Sequence, residues 1–210
     1  MILIGMFDSP FVRRVAVSMK LLDLPFEHRN WSVGKDQAEI RLYNPLGRVP
    51  TLVLDDGESL AESFAILDYL DQTVGAAKAL LPVSGRERRD ALQLMALASG
   101  AAEKGVTQLY EGIFRPAKKR HEPWVERCAE QMHGSLQLLE QHCAKAAGWL
   151  VGGQMTQADV TGVTAYTFLH EALGFGATLY PALHGLAQRC ETLPAFADTH
   201  VAFFKPQPAA

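Results

Sequence analysis

The sequence is poor in the features that would mark a disulfide-stapled, metal-bound or membrane-spanning chain. It holds three cysteines, Cys128, Cys143 and Cys190. They are odd in number, far apart and confined to the C-terminal half, which fits neither a disulfide framework nor a zinc site, so they read as reduced, buried residues. The seven histidines form no ligand-spaced cluster. His121-Glu122 and His170-Glu171 lack the second histidine of an HExxH zinc helix, because those positions are Val125 and Gly174. No Walker A loop, dinucleotide-type glycine loop or nucleophile elbow is present, and no apolar run approaches the roughly 20 residues that span a bilayer. The opening MILIGMF lacks the basic flank and length of a secretory signal. The expectation is a cytoplasmic protein with no metal and no membrane attachment.

Charge of one sign is also lacking. Twenty Lys and Arg stand against 23 Asp and Glu, a formal net charge of -3, so no basic field points to nucleic acid or anionic lipid. The one short basic run, Lys118-Lys119-Arg120, reads as a solvated helix face. Internal repeats and low-complexity tracts are absent. What remains is a chain of 210 residues, 48% hydrophobic and 9% aromatic, enough for one large or two small domains with a sizeable core.

The first 80 residues alternate strand and helix signals. MILIGMF reads as a strand, and Pro10 to Leu22 places Val12, Val15, Ala16, Met19 and Leu22 at helical spacing. FEHRNW reads as a second strand, followed by an irregular polar stretch through the turn signal Asn44-Pro45-Leu46-Gly47. TLVLDDGESLAES predicts two strands joined at Asp56-Gly57. In ESFAILDYLDQTVG the residues Phe64, Leu67, Leu70 and Val74 keep helical spacing and Gly75 is placed to end the helix. After a linker near Leu81-Pro82-Val83-Ser84-Gly85 every segment reads as helix. Leu94, Ala98, Ala101, Gly105, Leu109 and Ile113 mark one long amphipathic helix, and Val125, Cys128, Met132, Leu136, Leu139 and Cys143 mark another. Thr156 to Leu173 is apolar on nearly every side, the pattern of a buried helix. Further helices are expected from Pro181 to Glu191 and from Pro194 onward, and the tail KPQPAA is expected to fray. The fold class predicted is an α/β domain with the thioredoxin-like order of elements, residues 1–80, followed by an all-helical domain, residues 84–205.

Four motifs carry a family resemblance: SPFVRRV at 9–15, NPLGRVP at 44–50, ESFAILDYL at 62–70 and GGQMTQAD at 152–159. In this order, ahead of a helical second domain, the chain resembles the cytosolic-type glutathione S-transferases over nearly its full length, and its SPFVRR form is most similar to a bacterial subgroup. The resemblance implies glutathione as co-substrate, a small hydrophobic electrophile as second substrate, and a homodimer.

Each motif also has a plain structural reading. Ser9 followed by Pro10 is a common helix start, with serine as N-cap and proline at the first helical position. That helix start also presents unpaired N–H groups and a positive dipole end, which favour an anion such as a thiolate. The resemblance makes Ser9 the residue that contacts the glutathione sulfur, with Phe11 beside it. A hydroxyl donating to the thiolate lowers the thiol pKa, and a depression of about two units from roughly 8.5 ionises most of the bound thiol at neutral pH. Serine cannot form the mixed disulfide that a cysteine there would form, and no cysteine precedes Cys128, so conjugation, addition or isomerisation is favoured over thiol-disulfide exchange.

Val49-Pro50 reads on its own as the start of a strand. The resemblance makes Pro50 a cis-proline, gives Val49 the backbone pairing with the cysteinyl part of glutathione, and sets Arg48 near its glycine carboxylate. Glu62-Ser63 suits the first turn of any helix. The resemblance assigns Ser63 and nearby N–H groups to the α-carboxylate of the γ-glutamyl end, and Glu62 to its ammonium. Thr156-Gln157-Ala158-Asp159 reads as a capping box with aspartate in place of Glu or Gln, a folding element. In the resembling architecture the electrophile lies between the domains, and Tyr110, Phe114 and Arg115 are the candidates to line it. Two alternatives stay open: a module of this fold that binds glutathione or a partner without turnover, and a glutathione-dependent isomerase or dehalogenase.

Overall fold

The computed structural model describes residues 1–204, and the tail expected to fray lies outside them. The chain divides into two compact units: Met1–Arg89 with Glu191–Val201, and Asp90–Cys190 with residues 202–204.

The first unit is built on a four-stranded sheet of order β2-β1-β3-β4. Strand β1 (Ile2–Ile4) leads through helix α1 (Pro10–Leu21) to β2 (Glu27–Arg29), which pairs with it in parallel. Strands β3 (Thr51–Val53) and β4 (Ser59–Ala61) form an antiparallel hairpin that joins the other side of β1, with Ile4 opposite Thr51 and Thr51 opposite Ala61. This is the thioredoxin-like arrangement, as its element order predicts. The strands are shorter than the apolar runs suggest. At Gly5 the chain turns out of the sheet with φ +132°, and an added Cβ would sit 2.5 Å from Val12 Cγ2 and 2.8 Å from Val49 Cβ. Only glycine fits that approach.

Two local expectations need correction. The stretch before Asn44 is not wholly irregular but contains helix α2 (Gln37–Arg41). Only Ile40 of its five residues is buried, so the sequence shows no helical period there. Helix α3 (Ser63–Val74) turns Ile66, Leu67 and Leu70 into the core and leaves Phe64 42% exposed, so the stripe is rotated from the predicted one. Gly75, at φ +77°, ends α3 as expected, and Asp71 accepts from the N–H groups of Leu80 and Leu81 to tie down the following chain.

Helix α1 buries the predicted Val12, Val15, Ala16 and Met19, and with them both of its arginines. Arg13 forms a two-pronged pair with Glu191 and donates to the carbonyl of Phe196 at 3.0 Å. Lys20 pairs with Asp198 at 2.8 Å, and Phe196 is fully buried. These contacts group Glu191–Val201 with the first unit, whereas the sequence division placed that stretch in the helical part.

Helix α4 (Gly85–Phe114), α5 (Glu122–Lys145), α6 (Gln157–Leu173) and α7 (Pro181–Glu191) follow. The helix from Pro194 is four residues long, Pro194–Ala197. In the second unit the spacing predicts the packed faces well: Leu94, Ala98, Ala101 and Leu109 of α4 and Cys128, Met132, Leu136 and Leu139 of α5 are buried. A Cβ on Gly105 would collide with Leu169 of α6, so glycine lets these helices approach. Helix α6 is buried along most of its length and begins with the predicted capping box. Asp159, fully buried, accepts from the N–H of Leu150 and from both the N–H and hydroxyl of Thr156. Burial pushes its carboxyl above the usual range while these bonds pull the other way.

None of the three cysteines is in a disulfide, and Cys128 and Cys190 are buried as expected. Cys143 is only partly so. The basic run is exposed, but it occupies a single 3-10 turn, Ala117–Lys119, rather than the face of a long helix. Arg120 folds back to the carbonyls of Gly112 and Arg115. Among the described residues no helix is long and apolar enough to cross a membrane.

Candidate functional site

Ser9 stands at the N-cap of α1 in an extended conformation, with φ -76° and ψ 124° and Pro10 at the first helical position. The helix start is therefore built as the sequence suggests, with one difference: the serine hydroxyl makes no capping hydrogen bond. Its backbone carbonyl accepts from the N–H of Arg13 at 2.9 Å, and its N–H donates to Met6 at 3.1 Å. The half-buried hydroxyl is thus not committed to the helix it opens. The loop leading to it is held by His28, which bonds the carbonyl of Gly5 at 2.7 Å and stacks on Phe7 with ring centroids 3.8 Å apart.

Val49 lies against Gly5, a residue of the segment that leads from β1 to Ser9. The Val49-Pro50 peptide is cis, and the strand ladder starts only at Thr51, so the backbone N–H and C=O of Val49 lie outside the paired register. The preceding loop is fixed by Asn44, which is fully buried. Its side-chain amide donates to the carbonyl of Arg48 at 2.9 Å and to Thr51 Oγ1 at 3.1 Å, and its oxygen accepts from Leu46 N–H at 3.0 Å.

Glu62 and Ser63 open α3. Glu62 has φ +67° and ψ 124°, a conformation that costs a side-chain-bearing residue of order 1–3 kcal/mol. Its exposed carboxylate lies 3.7 Å from the guanidinium of Arg48, itself half exposed. Ser63 is 3% exposed, and its hydroxyl accepts from Nη2 of Arg14, which is buried between the rings of Phe64, at 4.5 Å, and Phe11, at 5.8 Å.

Gly5 lies against both Val12 of the Ser9 helix and Val49, Arg14 ties α1 to Ser63, and Arg48 meets Glu62. These contacts link the segments that carry Ser9, Phe11, Arg48, Val49, Pro50, Glu62 and Ser63 within the first unit. The result is a half-buried helix start with an uncommitted hydroxyl, a stretch of backbone outside the strand ladder, and a second helix start backed by a buried cation. Such a set suits an extended peptide-like molecule with an anionic end.

In the second unit Tyr110 and Phe114 are 43% and 62% exposed and meet edge to face, with centroids 5.0 Å apart. Arg115 pairs with Glu111 at 2.8 Å. Burial pushes the Glu111 carboxyl up, but bonds from Arg115 and from the N–H of His121 outweigh it and hold it below the usual range. Among the described residues no three His, Cys, Asp or Glu side chains gather as a metal site.

Sequence reasoning missed three supporting residues. Asn44 reads as an ordinary turn residue, His28 as one of several strand residues, and Arg14 as half of a charged pair. Arg13 and Arg14 fall off the apolar stripe of Val12, Val15, Ala16 and Met19, so the helical period reads them as solvated, whereas α1 is buried on nearly every side.

Two stretches of the chain match domains of known proteins. Residues 3–78 match the glutathione S-transferase N-terminal domain and residues 104–194 the glutathione S-transferase C-terminal domain. The GST-like protein YibF of Escherichia coli (strain K12) is 32% identical over 153 residues, 73% of this chain and 71% of that protein. A probable maleylacetoacetate isomerase of Vibrio cholerae is 28% identical over 212 residues, 94% of each. A glutathione S-transferase from Methylobacterium radiotolerans, solved in complex with glutathione sulfonate, superimposes with a TM-score of 0.89 at 26% identity, covering 100% of this chain and 96% of that one. A glutathione transferase family member from Pseudomonas fluorescens Pf-5 with bound glutathione gives 0.81 at 28% identity, covering 100% and 99%. The chain belongs to the glutathione S-transferase family.

Proposed function

We propose that this protein is a glutathione transferase that holds glutathione on its first unit and delivers the thiolate to a small hydrophobic electrophile. The observation that carries the reading is the Ser9 hydroxyl, placed at the start of α1 and free of any capping bond. It donates to the glutathione sulfur, the helix dipole adds to the effect, and the thiol loses its proton to solvent. The thiolate then forms a carbon–sulfur bond to the electrophile, and the displaced electrons leave with a leaving group or are protonated on the adduct. Ser9 does not ionise.

The remaining site residues bind. Val49, ahead of the cis-Pro50, offers its backbone to the cysteinyl portion, with Phe11 alongside. Ser63 and the first N–H groups of α3 take the glutamyl carboxylate, and Glu62 takes its ammonium. Arg48 faces the glycine carboxylate, exchanging its contact with Glu62 for one with the ligand. Tyr110, Phe114 and Arg115 line the electrophile pocket; the exposed rings of the first two support this assignment. The protein is a cytoplasmic homodimer in this reading.

A second reading is supported by the relative named as a probable maleylacetoacetate isomerase, which matches 94% of this chain. There the thiolate would add to an activated double bond and leave again after rotation, so that glutathione is returned. A panel of electrophiles and conjugated cis-alkenes, assayed with wild type and Ser9→Ala while glutathione is followed, separates the readings. Ser9-dependent loss of glutathione thiol supports transfer, and turnover with constant glutathione supports isomerisation. Binding without turnover of any panel member would favour a non-catalytic module.

A further inference from the structure

The Arg14–Ser63 contact has no counterpart in the assignments above, and its chemistry is specific. A guanidinium can only donate, whereas a serine hydroxyl carries one proton and two acceptor lone pairs. Arg14 Nη2 therefore occupies an acceptor position on Ser63 Oγ, and the Ser63 proton is directed elsewhere. Arg14 is 2% exposed. An apolar side chain would fill the same volume without the cost of desolvating a charge, a cost the rings of Phe11 and Phe64 only partly offset. The buried charge lies directly behind the first turn of α3, where N–H groups without intrahelical partners already favour an anion.

We propose that Arg14 is the positioning residue of the carboxylate subsite: it holds Ser63 as a hydrogen-bond donor and places a fixed positive charge behind the α3 start, so the site selects a carboxylate over its neutral amide. The inference rests on the glutathione reading and assigns Arg14 no contact with the ligand. Because Arg14 sits in the helix that Ser9 opens, it also fixes the spacing between the sulfur end and the glutamyl end of the bound molecule.

The test is calorimetric titration of wild type, Arg14→Met, Ser63→Ala and the double variant with two ligands: glutathione, and the analogue whose glutamyl α-carboxylate is a carboxamide. Arg14→Met should weaken glutathione binding about tenfold or more and carboxamide binding by less than about threefold, and it should have little further effect once Ser63 is alanine. At saturating glutathione its thiolate absorbance should match wild type, as suits a residue that positions and does not touch sulfur. Equal losses for both ligands, or losses additive with Ser63→Ala, would overturn the assignment. If Arg14→Met does not fold, the guanidinium N–H resonances of Arg14 in the wild-type protein serve instead: they should shift on adding glutathione and stay put with the carboxamide, and identical shifts would overturn the proposal. Wild type that binds glutathione while Arg14→Met binds it equally well refutes only the role of Arg14. Wild type that fails to bind glutathione refutes the underlying reading as well.

Discussion

The side-chain amide of Asn44 donates to the carbonyl of Arg48 at 2.9 Å, one residue ahead of Val49, and so fixes the backbone that faces the site from a position within the core. Three hydrogen bonds converge on this one side chain. Asn44→Ala leaves the Arg48 carbonyl and the Leu46 N–H without these bonds, which should cost about 2–4 kcal/mol. Chemical denaturation should record that loss, and glutathione affinity should fall with it because Val49 is no longer held. Unchanged affinity in a destabilised variant would separate the loop from the site.

Glu62 offers the opposite balance. Its φ of +67° suits glycine, so Glu62→Gly should stabilise the protein by about 1 kcal/mol, the relief of strain exceeding the greater freedom glycine gives the unfolded chain. The same change removes the carboxylate assigned to the ligand ammonium. Thermal melting and glutathione titration should therefore move in opposite directions. A lower melting temperature in Glu62→Gly would show that the strain at Glu62 is smaller than the entropy glycine adds to the unfolded chain.

Both results bear on what the sequence discloses. Element order, the thioredoxin-like pairing, the capping box at Thr156–Asp159 and the cis peptide at Val49-Pro50 were legible because each rests on local chemistry or on a spaced motif. Helix α2 was not, since one buried residue, Ile40, makes no period. The burial of Arg13 was hidden because its partner Glu191 lies 178 residues away. Likewise, nothing local shows that Arg14 meets Ser63, or that the Ser9 hydroxyl declines its capping bond. Such facts arise only when distant segments pack.

Asp159 tests the structural reading of the fourth motif. Asp159→Ala removes the acceptor for Leu150 N–H and for two groups of Thr156, all buried, and should destabilise the second unit by about 3 kcal/mol or more. Glutathione affinity in whatever protein remains folded should be near wild type. A folded, equally stable Asp159→Ala would contradict the role of this carboxylate.

Cys143 should be a sluggish thiol despite its partial exposure. Burial, with help from the charge of Glu140, pushes its pKa up to about 11, and its Sγ–H donates to the Ala182 carbonyl. At pH 8 its thiolate fraction should be roughly two-hundredfold below that of an ordinary cysteine, and aromatic disulfide reagents should label it correspondingly slowly. The folded pKa lies above the unfolded one, so the associated stability is present below about pH 8.5 and is lost as pH rises through about 11. Cys143→Ala should remove that alkaline loss. Rapid labelling of Cys143 at pH 8 in folded protein would refute the environment described.

The most direct measurement of the central claim is the ultraviolet absorbance of the glutathione thiolate, titrated against pH in complexes with wild type and with Ser9→Ala. If the hydroxyl at the start of α1 donates to sulfur, the bound thiol of wild type should titrate about two units below free glutathione, and Ser9→Ala should return most of that shift with little loss of stability, because the hydroxyl makes no capping bond that the change could remove. Conjugation by Ser9→Ala should then be slow at neutral pH and recover at high pH, where the thiol ionises unaided. Identical thiolate titrations in the two complexes, with glutathione shown to be bound in both, would contradict the account and leave Ser9 as no more than the first residue of a helix.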